Sequence, residues 1–270
     1  MRLLVAVNAC TIVVAVGACT SFAASNDDGP ADGGGSADAA ASETSPGSPG
    51  SPDSGRPDAD ASSCTTLISD DFATQRPEWR TTGDNQHFKA KELLLTPAQS
   101  GTNGAVWWNA PVSYSGYLRV TVGVRINTPQ AAPKGDGLAI AWVDDKQPFP
   151  PALGGLGKSL AVCAGAPTTN GYAIGARTGD DTVEIVDTVA CDTATPADHP
   201  AFTLEGEHTF VIEIRPASIA TVIDGTFKFE RTNLGPQAAT SGYLGLTASS
   251  SSPASTGHSI VRVVVERCPN

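Results

Sequence analysis

The segment Gly135–Asp145, GDGLAIAWVDD, restricts the possible fold more than any other stretch. Read as a strand, it sends Leu138, Ile140 and Trp142 to one face and Ala139, Ala141 and Val143 to the other. Both sets are apolar, so the strand belongs inside a sheet that is covered on both sides, as in the inner strand of a two-sheet sandwich. It is entered through Gly-Asp-Gly, whose glycines accept backbone angles closed to other residues and leave Asp136 at the strand's mouth. Shortly after, Leu153–Ser159 (LGGLGKS) has glycine at three of four positions, Gly154, Gly155 and Gly157. That composition lets backbone N–H groups come close to a ligand or to another loop.

The rest of the chain after residue 64 repeats the strand-and-turn theme. Gly116–Asn127 alternates strictly, with Leu118, Val120, Val122, Val124 and Ile126 set against Arg119, Thr121, Gly123 and Arg125, which gives one core face and one wet face. Thr65–Phe72, Phe88–Thr96 and Gly104–Asn109 read as earlier strands. Gly171–Arg177 and Thr182–Val189 flank a turn at Thr178–Asp181. Glu207–Arg215 alternates again, and Ser218–Ile223 and Thr226–Arg231 flank Asp224-Gly225, a strong hairpin signal. Tyr243–Ala248 and Ser259–Arg267 complete the set. With no amphipathic helix and about a dozen short strands, the expectation is an all-β fold, a two-sheet antiparallel β-sandwich or jelly roll. About 207 residues suffice for a sizeable core.

The chain has 270 residues and a formal net charge of −11. Eight acids and one base (Arg56) fall between Thr20 and Ser63, whereas residues 64–270 hold 20 acids and 15 bases. The expected folded part is only mildly acidic, and nothing basic is concentrated enough to neutralise phosphates, which argues against nucleic acid. Residues 1–18 read as an export signal: Met1-Arg2 precedes an apolar run to Ala18 that is shorter than the roughly 20 residues of a membrane span. Val16-Gly17-Ala18-Cys19 resembles a bacterial lipobox, which implies a lipid on Cys19 and anchoring to the cell envelope, at the outer membrane or cell surface. The alternative is an ordinary signal peptide cut after Ala18 or near Ala24. Residues 19–63 are rich in Gly, Ser, Pro and Asp and nearly free of large apolar side chains, a composition that cannot offset the entropy of ordering. They read as a disordered linker. Residues 64–270 then form one domain. Its four cysteines, Cys64, Cys163, Cys191 and Cys268, suggest two disulfides in an exported chain, with three possible connectivities and free thiols as the alternative. Cys64–Cys268 is favoured because the two bracket the domain; Cys163–Cys191 is then the second pair.

Four pieces carry a resemblance to a known family: Asp136-Gly137-Leu138-Ala139, Gly154-Gly155-Leu156-Gly157, Gly171-Tyr172-Ala173-Ile174 and Tyr243-Leu244-Gly245-Leu246-Thr247-Ala248. In this order they resemble the L-type, legume-lectin-like (concanavalin A-like) jelly rolls. Asp71-Phe72 with Trp79, and Gly257-His258 through Val265, resemble the opening and closing strands of such domains. The resemblance implies that Asp136 accepts hydrogen bonds from sugar hydroxyls and that the glycine loop donates backbone N–H groups. Asp136 capping a turn is the competing role. Of the pair Trp107-Trp108, one ring fills the core and the other either packs within the sheet or stacks on a sugar.

One departure from the family stands out. The strand that begins like Gly171–Ile174 continues there with Glu-x-Asp, and those carboxylates hold calcium and a transition metal. Here Gly175 and Arg177 stand in their places. A shifted alignment on Glu184–Thr188, with Asp192, Asp198 and His199 downstream, is the alternative; the ungapped alignment is preferred. No cofactor is then expected. The acidic group Asp180, Asp181, Glu184 and Asp187 reads as a solvated hairpin face, with a calcium site as the alternative.

Enzymatic chemistry finds little support. A related glycoside hydrolase needs two carboxylates on one strand face, whereas Glu184 and Asp187 are three apart and face opposite ways. No nucleophile elbow occurs, and the four histidines are scattered. Two function classes compete: a lipid-anchored, non-catalytic carbohydrate-binding protein using Asp136 and Gly154–Gly157, and a structural or protein-interaction sandwich that has lost the sugar and metal site. A glycosidase acting through Glu184 is a remote third.

Overall fold

The computed structural model describes residues 63–270, apart from 84–85, 90, 130–132, 152–153, 155–159, 163–169, 189–191, 195–202, 233, 235–239, 252, 254 and the side chains of 192–194. All of these belong to the second of two units into which the chain divides, Arg56–Asn270. The expected signal, Cys19, most of the linker, Gly155, Gly157, Cys163 and Cys191 lie outside the described residues.

The described residues form strands and no helix. The first are β1 (Thr65–Asp70), β2 (Trp79–Gly83), β3 (His87–Lys89), β4 (Glu92–Thr96), β5 (Thr102–Trp108) and β6 (Val112–Ser113). They are followed by β7 (Tyr117–Asn127), β8 (Gly137–Asp144), β9 (Gly171–Arg177), β10 (Thr182–Asp187) and β11 (Asp192–Ala194). The last are β12 (Gly206–Arg215), β13 (Ser218–Ile223), β14 (Phe227–Thr232), β15 (Ser241–Ser250) and β16 (Gly257–Cys268). They build two antiparallel sheets. One runs β14-β13-β12-β7-β16-β4-β3, with β1 also on β16; the other runs β11-β10-β9-β8-β15-β5-β2, with β6 also on β15. This is the expected two-sheet jelly roll.

The core lies between the sheets. The alternating face of β7 (Leu118, Val120, Val122, Val124, Ile126) meets Leu138, Ile140 and Trp142 of β8, Ile174 of β9 and Leu244 and Leu246 of β15. Trp108 joins this core in an edge-on contact with Trp79, ring centroids 5.1 Å apart. The Trp79 indole N–H donates to Asp70 Oδ2 at 2.8 Å, and Asp70 Oδ1 accepts from Phe72 N at 2.8 Å. The opening motif is thus fastened by Asp70 instead of by Asp71, the residue that the resemblance pairs with Phe72 and Trp79.

Hairpins close where their residues tolerate left-handed backbone. Asp224 (φ 49°) and Gly225 (φ 69°) form the tight turn between β13 and β14, with Thr226 N donating to Ile223 O at 3.0 Å, the geometry that Asp-Gly favours. Phe88–Thr96, expected as one strand, is two: β3 and β4 pair antiparallel, and Lys91 turns the chain at φ 70°. A positive φ at lysine carries no compositional signal, so the reversal is invisible in the sequence. Cys64 and Cys268 are disulfide-bonded, at the ends of the paired strands β1 and β16.

β8 is buried along its whole length, as its two apolar faces require. Its second face is covered by a separate apolar cluster: Ala139, Ala141 and Val143 pack with Ala105, Trp107, Ala173, Val186, Leu160 and Val162. Leu160 and Val162 belong to the chain that leaves the glycine loop. That segment therefore lies against the outward face of the second sheet.

Candidate functional site

Three strand ends meet at one end of the second sheet. Gly137, the first residue of β8, pairs with Ser249 near the end of β15 and with Arg177 at the end of β9. Gly137 has φ +142°, and a Cβ there would stand 2.0 Å from Ala176 O; only glycine permits this approach of β8 to β9. Asp136 is consequently held at the rim where these strands stop.

The backbone around Asp136 is clamped from two sides. Thr178, just past β9, donates from Oγ1 to Gly135 O at 2.6 Å and from N to Asp136 O at 3.1 Å. From the loop after β15, Thr256 Oγ1 accepts from Gly135 N at 2.5 Å, and Ser255 N donates to Pro133 O at 3.1 Å. The Asp136 carboxylate completes this zipper. Its Oδ2 accepts from Ser251 N at 2.6 Å and from Ser249 Oγ at 3.4 Å, and its Oδ1 accepts from Ser251 Oγ at 2.8 Å. Asp136 is half-buried. The carboxylate thus performs the turn-capping role that competes with sugar contact in the sequence.

The two described ends of the glycine segment, Gly154 and Leu160, are held beside β15. Gly154 N donates to Ala161 O at 2.9 Å, closing the loop at its base. Leu160 O accepts from Thr247 Oγ1 at 2.7 Å. Thr247 and Ser249 point the same way from β15, because Leu244, Leu246 and Ala248 point into the core. Two residues along a strand span roughly 7 Å. The residue that fastens the loop and the residue that touches Asp136 are therefore neighbours on one face. Gly154 is buried.

Trp107, whose ring is offered in the sequence either to a sugar or to packing within the sheet, is buried. Its ring is 1 % exposed, and it packs over Gly245, where an added Cβ would stand 2.2 Å from Trp107 Cζ3. The sequence alternative of packing within the sheet is the one realised, although on the outward face under the loop segment and not in the main core.

The acidic group is also divided. Asp180 is exposed. Asp181 Oδ2 lies 2.5 Å from Lys134 Nζ, and its Oδ1 accepts from Leu204 N at 3.0 Å. Glu184 is 3 % exposed and faces the second cluster beside Val186, with its Oε1 2.5 Å from Arg177 Nη2. It is not part of a solvated hairpin face. Burial of Glu184 is tolerated because the guanidinium stands against it and Gly175, its partner across the ladder, leaves room.

These residues do not fit a cation. A hard divalent ion takes six or more oxygen ligands, several of them charged. At the positions where the resembled family carries acids, this chain has Gly175, which offers no side chain, and Arg177, which brings a positive charge. Among the described residues no three His, Cys, Asp or Glu side chains converge. The serines and threonines that build the rim (Thr178, Thr247, Ser249, Ser251 and Thr256) were not read as site residues in the sequence. The run Ser249–Ser252 directly after a strand was the one available signal.

Residues 67–159 match the model of the legume-like lectin family. That stretch runs from β1 through the Asp136 turn to the end of the glycine loop. A comparison with curated proteins finds no match. Among solved structures, the chain is similar to basic winged bean lectin with Tn-antigen, at 15% identity and TM-score 0.62, over 74% of this chain and 97% of that one. It is similar to the exoplasmic/lumenal domain of VIP36 in a Ca2+/Man3GlcNAc-bound form, at 14% identity and TM-score 0.55, over 72% and 85%. It is also similar to arcelin-5, a lectin-like defence protein from Phaseolus vulgaris, at 11% identity and TM-score 0.57, over 74% and 97%. The described body has the jelly-roll fold of the legume lectins, and its first half carries a legume-like lectin sequence signature.

Proposed function

We propose that this chain is a non-catalytic carbohydrate-binding protein whose contact edge is the rim built from the Asp136 turn and the loop that starts at Gly154. The observation that carries this reading is the juxtaposition on β15: Ser249 touches Asp136 and Thr247 fastens Leu160, side by side on one face. The legume-like lectin match includes both elements. Winged bean lectin was solved with Tn-antigen and VIP36 with Man3GlcNAc; by analogy, a hexose-containing glycan is the ligand class for this chain. In the same proposal Cys19 carries lipid, residues 19–63 act as a tether, and the lectin-like domain is displayed at the bacterial cell envelope. Such a tether of about 44 residues would average roughly 35–40 Å end to end.

A binding role is favoured over hydrolysis because Glu184, the acid on which a glycosidase reading would depend, is buried against Arg177 and has no second carboxylate on its strand face. The competing reading is an interaction domain without a sugar site. It is supported by Gly175 and Arg177, which stand where the resembled family carries acids, and by the hydrogen bonds that Asp136 accepts from Ser249 and Ser251.

A glycan array with the purified mature protein tests the proposal. The expected result is selective binding that Asp136→Asn weakens at least tenfold, as expected for the loss of one charge-assisted hydrogen bond. Ser251→Ala, which loosens the turn but leaves the carboxylate, should weaken binding less. Absence of binding would favour the interaction-domain reading, whereas binding that Asp136→Asn leaves untouched would defeat the placement of the contact at this rim.

A further inference from the structure

The Arg177–Glu184 pair occupies a central position in the rim. Arg177 stands opposite Gly137 in the β8–β9 ladder, and its neighbour Thr178 grips Gly135 and Asp136. Glu184 stands opposite Gly175. A Cβ on Gly175 would meet Leu160 Cδ1 at 2.7 Å and Glu184 Cγ at 3.2 Å. On one side the pair adjoins the Asp136 turn; on the other it adjoins Leu160, which anchors the glycine loop's exit. Both charged groups are withdrawn from water, at 14 % exposure for Arg177 and 3 % for Glu184. An ion pair so enclosed is hard to break from one side only, because the remaining charge is left without water or partner.

A positive charge fixed against a buried carboxylate, between the Asp136 turn and Leu160, is what a bound metal would supply, and here a covalently attached guanidinium stands there. We propose that the Arg177–Glu184 pair takes the structural place of a bound cation at this rim, so that the rim forms, and holds its carbohydrate, without calcium. Arg177 is in this account a positioning residue that acts through Thr178 and the Asp136 turn. The last clause, on carbohydrate, rests on the function proposed above; the remainder does not.

The test combines melting curves, calcium calorimetry and glycan binding on the mature protein. The wild type should show no heat of calcium binding, the same Tm in calcium and in excess EDTA, and unchanged glycan binding in EDTA. Any ligand specific to the folded state would raise Tm, so an increase of several degrees in calcium, or loss of binding in EDTA, would overturn the proposal. Arg177→Ala should lower Tm by roughly 10 °C, since it strands a buried carboxylate; an unchanged Tm would also overturn it. The double variant Arg177→Met with Glu184→Leu should recover most of that loss. A purely structural role predicts that its glycan affinity recovers along with Tm, and that result would contradict positioning. Positioning predicts at least a tenfold loss of affinity that persists, with Arg177→Lys retaining binding. If the wild type binds no glycan at all, the function reading fails, while calcium calorimetry and melting still judge the ion pair.

Discussion

His258, on β16, is wholly enclosed, and the polar side chains around it form a short chain of hydrogen bonds. Its Nδ1 lies 2.7 Å from Thr96 Oγ1, and that hydroxyl donates onward to Thr256 O at 3.5 Å. The arrangement is satisfied with the proton on Nδ1, which leaves Nε2 as a bare acceptor with no partner among the described residues. A second proton would bury an unpaired charge, so burial pushes the ring's pKa down from 6.5 to about 3. The unfolded chain therefore takes up the proton first. Stability from this group is complete above pH 6.5 and is lost as pH falls toward 3, by about 1.4 kcal/mol per unit. Urea unfolding should show about 2 kcal/mol less stability at pH 5 than at pH 7 from this source. His258→Asn, which keeps a donor toward Thr96, should flatten the slope by one proton; an equal slope in the variant would refute the assignment. Thr256 also accepts from Gly135 N, so the buried histidine supports the same turn that holds Asp136. None of this was legible in the sequence. Gly257-His258 read as the start of a closing strand, and burial of a histidine depends on partners 162 residues away.

At the scale of elements, β8 shows how far a pattern of side chains reaches. Two apolar faces dictated an interior strand, and it is interior. They did not say what covers the second face. The cover comes from Leu160 and Val162, which sit beside a glycine-rich segment with neither strand nor helix periodicity, so no pattern assigned them to a core. Trp107 shows the same limit: alternation put it opposite Trp108, but the pattern left open whether its ring packs within the sheet or meets a sugar, and the cover from Leu160 and Val162 accounts for its burial. The hairpin at Asp224-Gly225 was legible because its residues state their own backbone angles, whereas the one at Lys91 was not. The second cluster makes a sharp prediction. Gly245→Ala would drive a methyl group into the Trp107 ring, where neither β15 nor the covering segment has room. It should cost about 1–3 kcal/mol, seen as a Tm decrease of roughly 3–10 °C with a changed near-UV circular dichroism signal. An unchanged Tm would mean that the ring is not held as described.

For the whole molecule, the antiparallel order of the second sheet is what assembles the rim proposed as the site. Because β9, β8 and β15 are adjacent and alternate in direction, residues 136, 177 and 249, far apart in the chain, arrive at one edge. The Cys64–Cys268 bond ties the two ends of the body across a sequence separation of 204, which in the chain-entropy account removes about 5 kcal/mol of freedom from the unfolded state. The fold was legible because strand alternation and turn residues are local signals. The proposed site was legible only in its two glycine-marked pieces, since the hydroxyl groups that hold Asp136 and Leu160 are brought together by topology. The most direct measurement is an amide-shift titration of the 15N-labelled protein with its best-binding glycan. The account predicts shifts gathered at 134–137, 154–157, 177–178 and 249–251. Shifts centred instead on Phe149 and Tyr243, at the other end of the same sheet, or on the outward face of β7 and β12, would contradict it.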